Sequence, residues 1–404
     1  MFKKIINLIL ISFLILNFNA SRVEANEKER QNNKQVEEQS EELNKAKEDI
    51  ENNSTIEEFY NYVNGLNLDS ELIGNISVKE YVQNFLTNGE GTISFGAIVK
   101  TLINYSLREV NVTIKLLMSV LIIAIIGALM RNLQDAFKSN SLSNVAFFAC
   151  YSVMMMLLTS SFLVALGIAK DVLQNLMDFM AVMMPVLVFL IGTAGGAVTA
   201  LTLDPIVLML VSLTPQIYMY VIFPLILAYF VLQFVNNISE TYKIDKLCKL
   251  IKQIAMWLQG GVLTIFVALI AIRGITSSTI DAVTLKTAKF AIDNFIPIVG
   301  KAFSDAISTI AGYSLLLKSA ISSVGLIIVI GILVYPLIKL IVMIFSYRIV
   351  AALVEPVADK RMVNSISSVG DSMTMLFSAV LSVSVIFFIV IAIMASAGKF
   401  IVGG

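Results

Sequence analysis

Histidine is absent from the 404-residue chain, cysteine occurs twice, tryptophan once and proline seven times, and only 14% of the residues are charged. The missing histidine removes the commonest general base and the commonest metal ligand. An intramembrane protease or transferase needs an activated nucleophile or paired acids. No serine here has a histidine to activate it, and only Asp178 and Asp204 come near the placement of an acidic pair. The sequence therefore argues against an enzyme and offers no cofactor or metal site. Cys150 and Cys248 lie far apart, each in or beside an apolar run, with no CxxC or Cys/His cluster, so they read as buried thiols and not as a zinc or redox centre. No GxxxxGK[ST] loop is present to cradle a nucleotide. Basic and acidic residues number 29 each, which leaves no positive excess to attract nucleic acid.

What the chain has instead is apolar length. It is 57% hydrophobic, with a mean hydropathy of +0.83, well beyond the composition of soluble domains. The expected fold is all-α: a polytopic helical membrane protein with a small extracytoplasmic helical region at its N-terminus. Residues 1–25 read as a signal peptide, with Lys3 and Lys4 before an apolar run over 5–18 and small residues Val23 and Ala25 flanking Glu24. An uncleaved anchor is the alternative, and in both cases the following segment starts outside the cytoplasm. Residues 26–58 carry eleven acidic and five basic side chains and form an acidic flexible arm, read as a solvated tail or a docking segment. Residues 59–110 predict short amphipathic helices separated by glycines. Residues 111–404 form the membrane domain.

Six or seven spans are expected, at 112–130, 144–169, 176–200, 205–235, 256–273, 319–346 and 373–396. The fourth is long enough to tilt, kink or break at Pro215 or Pro224. Gly192, Gly195 and Gly196, followed by Asp204 and Pro205, predict either a small-residue helix-packing face or a re-entrant segment. Asp204-Pro205 reads as a helix start. Seven full crossings put seven Lys and Arg inside and eight outside. If 176–200 does not cross, the counts become nine and six, the bias expected of a cytoplasmic side. Residues 275–318 predict an amphipathic hairpin broken at Pro297 and Gly300, with Lys301, Asp305 and Lys318 on its second arm. Lys339, between Pro336 and Ile344, is the best intramembrane charge for a free-standing small-solute transporter, the alternative to a complex subunit.

Three blocks also resemble one family. TAKFAIDNFIPIVG (287–300), FSDAISTIAG (303–312) and LLLKSA (315–320) form the first, MPVLVFLIGTAGGAVTALTLDPIV (184–207) the second and ALVEPVADKRMVNSISSVGD (352–371) the third. In their order along the chain they resemble the stage III sporulation protein AE family of endospore-forming bacteria, over about residues 55–404. Lys301 stands where that family usually has a second glycine. The resemblance implies an integral, non-enzymatic subunit of the stage III sporulation A complex in the mother-cell (outer forespore) membrane. Its implied partners are the other subunits, including a separate secretion-type ATPase, and indirectly a forespore membrane protein. The implied task is a channel or feeding tube that sustains the forespore after engulfment, with this chain as an export-gate or permease-like core.

Overall fold

Apolar runs with few helix breakers continue as helices until something stops them, and here little does. The structure, a computed structural model, describes residues 41, 43–66, 78–88, 110, 114, 118–129, 140–238, 243–295 and 300–396. Among these every regular element is helical: α1 Ser54–Gly65, α2 Val78–Asn88, α3 Met118–Leu129, α4 Asn140–Thr193, α5 Ala197–Ile217, a π-helical turn Tyr218–Ile222, α6 Phe223–Ile238, α7 Asp245–Phe295, α8 Gly300–Val354 and α9 Lys360–Ser396. The predicted signal peptide and, of the predicted acidic arm, residues 26–40 and 42 lie outside the described residues.

Two expected spans, 144–169 and 176–200, share one helix. α4 passes through Lys170–Asn175 without a break and ends only at Thr193. The expected hairpin at 275–318 is likewise made of the ends of two long helices, α7 and α8, and not of two separate short ones. Among the described residues, five helical stretches are long and apolar enough to cross a bilayer: Phe148–Thr193, Val207–Ile238, Asp245–Leu269, Ile307–Val354 and Lys360–Ser396, with the shorter α3 as a further apolar helix. The first has 46 residues, or about 69 Å of helix against a hydrocarbon core of about 30 Å. A straight crossing would leave more than half of it outside the core.

α9 is the centre of the bundle. It packs on α4, α6, α7 and α8, and its buried positions, such as Met362, Val369, Leu376, Val383 and Val390, recur every seven residues on one face. Around it α4 and α5 form an antiparallel pair, as do α8 and α9. The long fourth span neither breaks nor ends at its prolines. The chain stays helical from Ala197 to Ile238, and the π turn falls immediately before Pro224. Proline has no N–H to donate into the preceding turn, and a wider turn absorbs that defect locally. Phe230 then stacks on Phe162 of α4, with ring centroids 3.9 Å apart.

At the other end of α4, the two short helices pack on the long ones. α1 lies on α4 and α2 on α8. Asn53 caps α1, its side chain accepting from the Thr55 N–H at 3.0 Å. Ile56, Phe59 and Val63 form its buried face, and Phe59 meets Phe179 of α4 at 6.5 Å between ring centroids. Glu57, Glu58, Asn61 and Asn64 face outward. The turn before α1 is tied down as well: Tyr313 of α8 donates to Glu51, and Lys47 lies over the Tyr313 ring.

Candidate functional site

The glycine block builds a tight reversal between α4 and α5. Gly195 has φ of 89°, a left-handed conformation that costs any residue with a Cβ about 1–2 kcal/mol. The Gly196 N–H donates to the Ile191 carbonyl at 2.9 Å and the Gly195 N–H to that of Gly192 at 3.1 Å. This is the Schellman pattern, which satisfies the last carbonyls of α4. Gly196 then serves as the N-cap of α5, and its carbonyl accepts from the Ala200 N–H. A Cβ on Gly192 would stand 3.7 Å from that of Ala200, so its close approach is across this one turn. Asp204 and Pro205 are not a helix start. They lie inside α5, because the left-handed Gly195 lets the chain reverse and restart eight residues earlier. Their side chains are outside the described residues.

The hairpin residues fare differently. Pro297 lies outside the described residues. Gly300, Lys301 and Asp305 fall in the first turns of α8, with their side chains outside the description. Lys318, on the second arm of the expected hairpin, is fully buried. It stands one turn from both Ser314 and Ser322 on a face that is buried throughout. The reason is that this arm continues into α8, and its inner face packs in the bundle core. Lys339 is half-buried on α8, its ammonium 5.7 Å from the centroid of the Tyr335 ring.

A polar cluster at the opposite end escaped the sequence reading, although its residues sit in the 352–371 block. Asp359, buried between α8 and α9, caps α9 by accepting from the Arg361 N–H at 2.8 Å. The Arg361 guanidinium returns to both oxygens of that carboxylate, at 3.1 and 3.2 Å. One turn on, Ser365 accepts or donates a 2.9 Å bond with Tyr151 of α4. Nearby, Asp371 takes Arg348 at 3.4 Å and Lys252 at 4.0 Å, so three helices, α7, α8 and α9, meet at one carboxylate. Asn236 closes the α6–α7 turn, donating to Asp245 and accepting from the Ile244 N–H. The legible signal was an aspartate before a helix with an arginine two residues later. Deeper in, buried Gln259 donates to the Met375 carbonyl, and its own carbonyl accepts from the Tyr218 hydroxyl.

Near α1 the tyrosines are perturbed. Burial, aided by the charge of Glu51, pushes Tyr60 up to about 12. Burial and then Asp178 raise Tyr62. Among the described residues no three His, Cys, Asp or Glu side chains converge in a metal-binding group. The arrangement is two polar ends on one long apolar bundle: a capped reversal with α1 against it, and a charged knot where three helices meet.

The model of a family described as stage III sporulation protein AE matches residues 76–398. The chain is also similar to stage III sporulation protein AE of Bacillus subtilis (strain 168), 32% identical over 312 residues that cover 77% of this chain and 78% of that protein. No solved structure matches. An all-helical bundle with five membrane-capable helices, matched in this way over most of its length, belongs to the stage III sporulation protein AE family.

Proposed function

We propose that the chain is a non-enzymatic, multi-pass subunit of a transenvelope complex linking mother cell and forespore, required for forespore development after engulfment. Membership of a stage III sporulation family over residues 76–398 carries this reading. The partners it implies are the other subunits of the stage III sporulation A complex, a separate secretion-type ATPase that supplies energy, and a forespore membrane protein reached across the intermembrane space.

The proposed topology follows from the helices. If α3 and each long helical course cross once, starting from outside, Arg131, Lys138, Lys243, Lys246, Lys249, Lys252, Arg348, Lys360 and Arg361 fall inside, and six Lys fall outside. Nine against six is the bias expected of a cytoplasmic face. The uninterrupted α4 supports this parity, because it removes one crossing between 144 and 200. The charged knot then lies at the cytoplasmic surface. The glycine reversal, with α1 and α2, lies in the intermembrane space.

An in-frame deletion in the source organism, followed by membrane-dye imaging of sporulating cells, tests the reading. Forespores are expected to complete engulfment and then shrink or stall. Normal yields of heat-resistant spores would overturn it and leave small-solute transport in vesicles as the function to assay.

A further inference from the structure

On α4 the exposed face changes character along its length. Val153, Met156, Leu163 and Val164 are exposed first. Then Lys170, Asp171, Gln174, Asn175 and Asp178 take over the outward positions. Their spacing places all five on one side of the helix, and Gln174 donates to Asp178 at 2.9 Å. Such a switch is ordinary where a helix leaves a membrane. It is not ordinary if the neighbouring helices still show apolar surface at the same height.

Contacts along the bundle fix that height. The Phe162–Phe230 stack and the 194–196 turn set the register of α4 against the α5–α6 course. Counting up from the stack brings Leu213, Ile217 and Tyr220 level with the stripe, and all three are exposed. The Tyr151–Ser365 bond sets the register of α9, and brings exposed Val385 and Phe388 to the same level. On α8, Gly325 abuts Met183 and Tyr347 neighbours Ser161, which puts exposed Ile330 and Tyr335 beside it too. On the proposed topology the charged knot at Asp371 marks the bilayer's near edge. About twenty helical residues span the hydrocarbon core, and that count up α4 reaches the far end of the stripe.

We propose that Lys170, Asp171, Gln174, Asn175 and Asp178 form the wall of a water-filled recess that enters the bilayer on one side of the bundle and admits small polar solutes. Its mouth is at α1. Phe59 seats that helix at Phe179, next to Asp178, and the outer face of α1 is Glu57, Glu58, Asn61 and Asn64, which belongs in water. Charged and amide side chains on lipid at this depth are costly, and a wetted recess removes the cost. Lys339 on α8 stands at the same height, a second helix carrying a charge there. The inference rests on the membrane reading above, but names a path into the bundle that the sporulation role alone does not require.

Single cysteines test it in the full chain, in membrane vesicles, with Cys150→Ala and Cys248→Ala as background. Asp171→Cys, Gln174→Cys and Asn175→Cys sample the stripe. Leu213→Cys, Ile217→Cys and Val385→Cys sample the same height elsewhere. The probe is a membrane-impermeant anionic methanethiosulfonate, which reacts with thiolate. A thiol in apolar surroundings has a raised pKa and little thiolate. The three stripe cysteines are expected to react faster by on the order of tenfold, the effect of one pKa unit. Equal fast labelling at all six would place this level outside the bilayer, and equal slow labelling would mean the stripe is covered. Either result overturns the recess and leaves the sporulation phenotype to be judged separately.

Discussion

The two halves of α4 bury similarly apolar inner faces but are held by different forces. In the half around Phe162 the helix turns apolar side chains outward, and the proposed surroundings are lipid. In the half around Phe179 it turns polar side chains outward, and α1 closes over the inner face. Lipid tails solvate a phenyl ring about as well as a protein core does, so packing in the first half is worth van der Waals contact and little more. In the second half the same ring is removed from water, and burial contributes the hydrophobic term. Equal burial therefore does not mean equal stabilisation.

The largest expected effect tests this directly. Phe179→Ala should destabilise the α1-covered half by about 3–5 kcal/mol, the usual cost of truncating a core phenylalanine in water. It should also release residues 43–66 to protease, because Phe59 loses its partner. Phe162→Ala, although its ring stacks on Phe230, should cost clearly less in thermal unfolding of the reconstituted protein. A reversed order would mean that lipid, and not water, meets the Phe179 ring where α1 leaves it.

The turns at the two ends differ in the same instructive way. The α4–α5 reversal depends on backbone conformation and the α8–α9 turn on a side chain. Asp359→Ala should cost about 1–2 kcal/mol from the lost cap alone, with Arg361 losing its bidentate partner as well. Asp359→Asn keeps a capping oxygen and should recover part of this in the same melt, which separates cap from charge. Gly195→Ala should cost about 1–2 kcal/mol through its left-handed backbone, while Gly192→Ala, whose Cβ meets only ordinary contact, should cost less. A Gly195→Ala chain as stable as the parent would show that the reversal is not needed.

Smallest is Asp371→Asn. Its pairs with Arg348 and Lys252 are partly exposed, and such pairs contribute under about 1 kcal/mol. A larger loss in the same unfolding measurement would mean that the knot is drier than its exposure indicates.

These contrasts also explain what was legible in the sequence. The apolar runs announced an all-helical membrane protein, and the family blocks announced sporulation. Continuity was not legible. Lys170–Asn175 interrupts an apolar run and so resembles a loop between two spans, yet its polar side chains sit at helical spacing on one face while Val172, Leu173 and Leu176 stay buried. Lys318 is the mirror image: a charge suggests a surface, yet the arm that carries it continues into α8 and buries it. Asp204-Pro205 looked like a start because capping chemistry was present, while the backbone freedom of Gly195 had already turned the chain. The Asp359–Arg361 cap was readable but lay outside the segments that looked unusual.

α4 and α8 run from the α1–α2 cap into the bilayer as single shafts. A continuous shaft pushed at one end moves at the other unless it bends between. Any partner that displaces the cap therefore applies torque inside the membrane. The softest point on α8 is Pro336, whose missing N–H leaves the Ile332 carbonyl without its helical donor. That point is level with the polar stripe, so the same height that carries the proposed recess is where the lever bends.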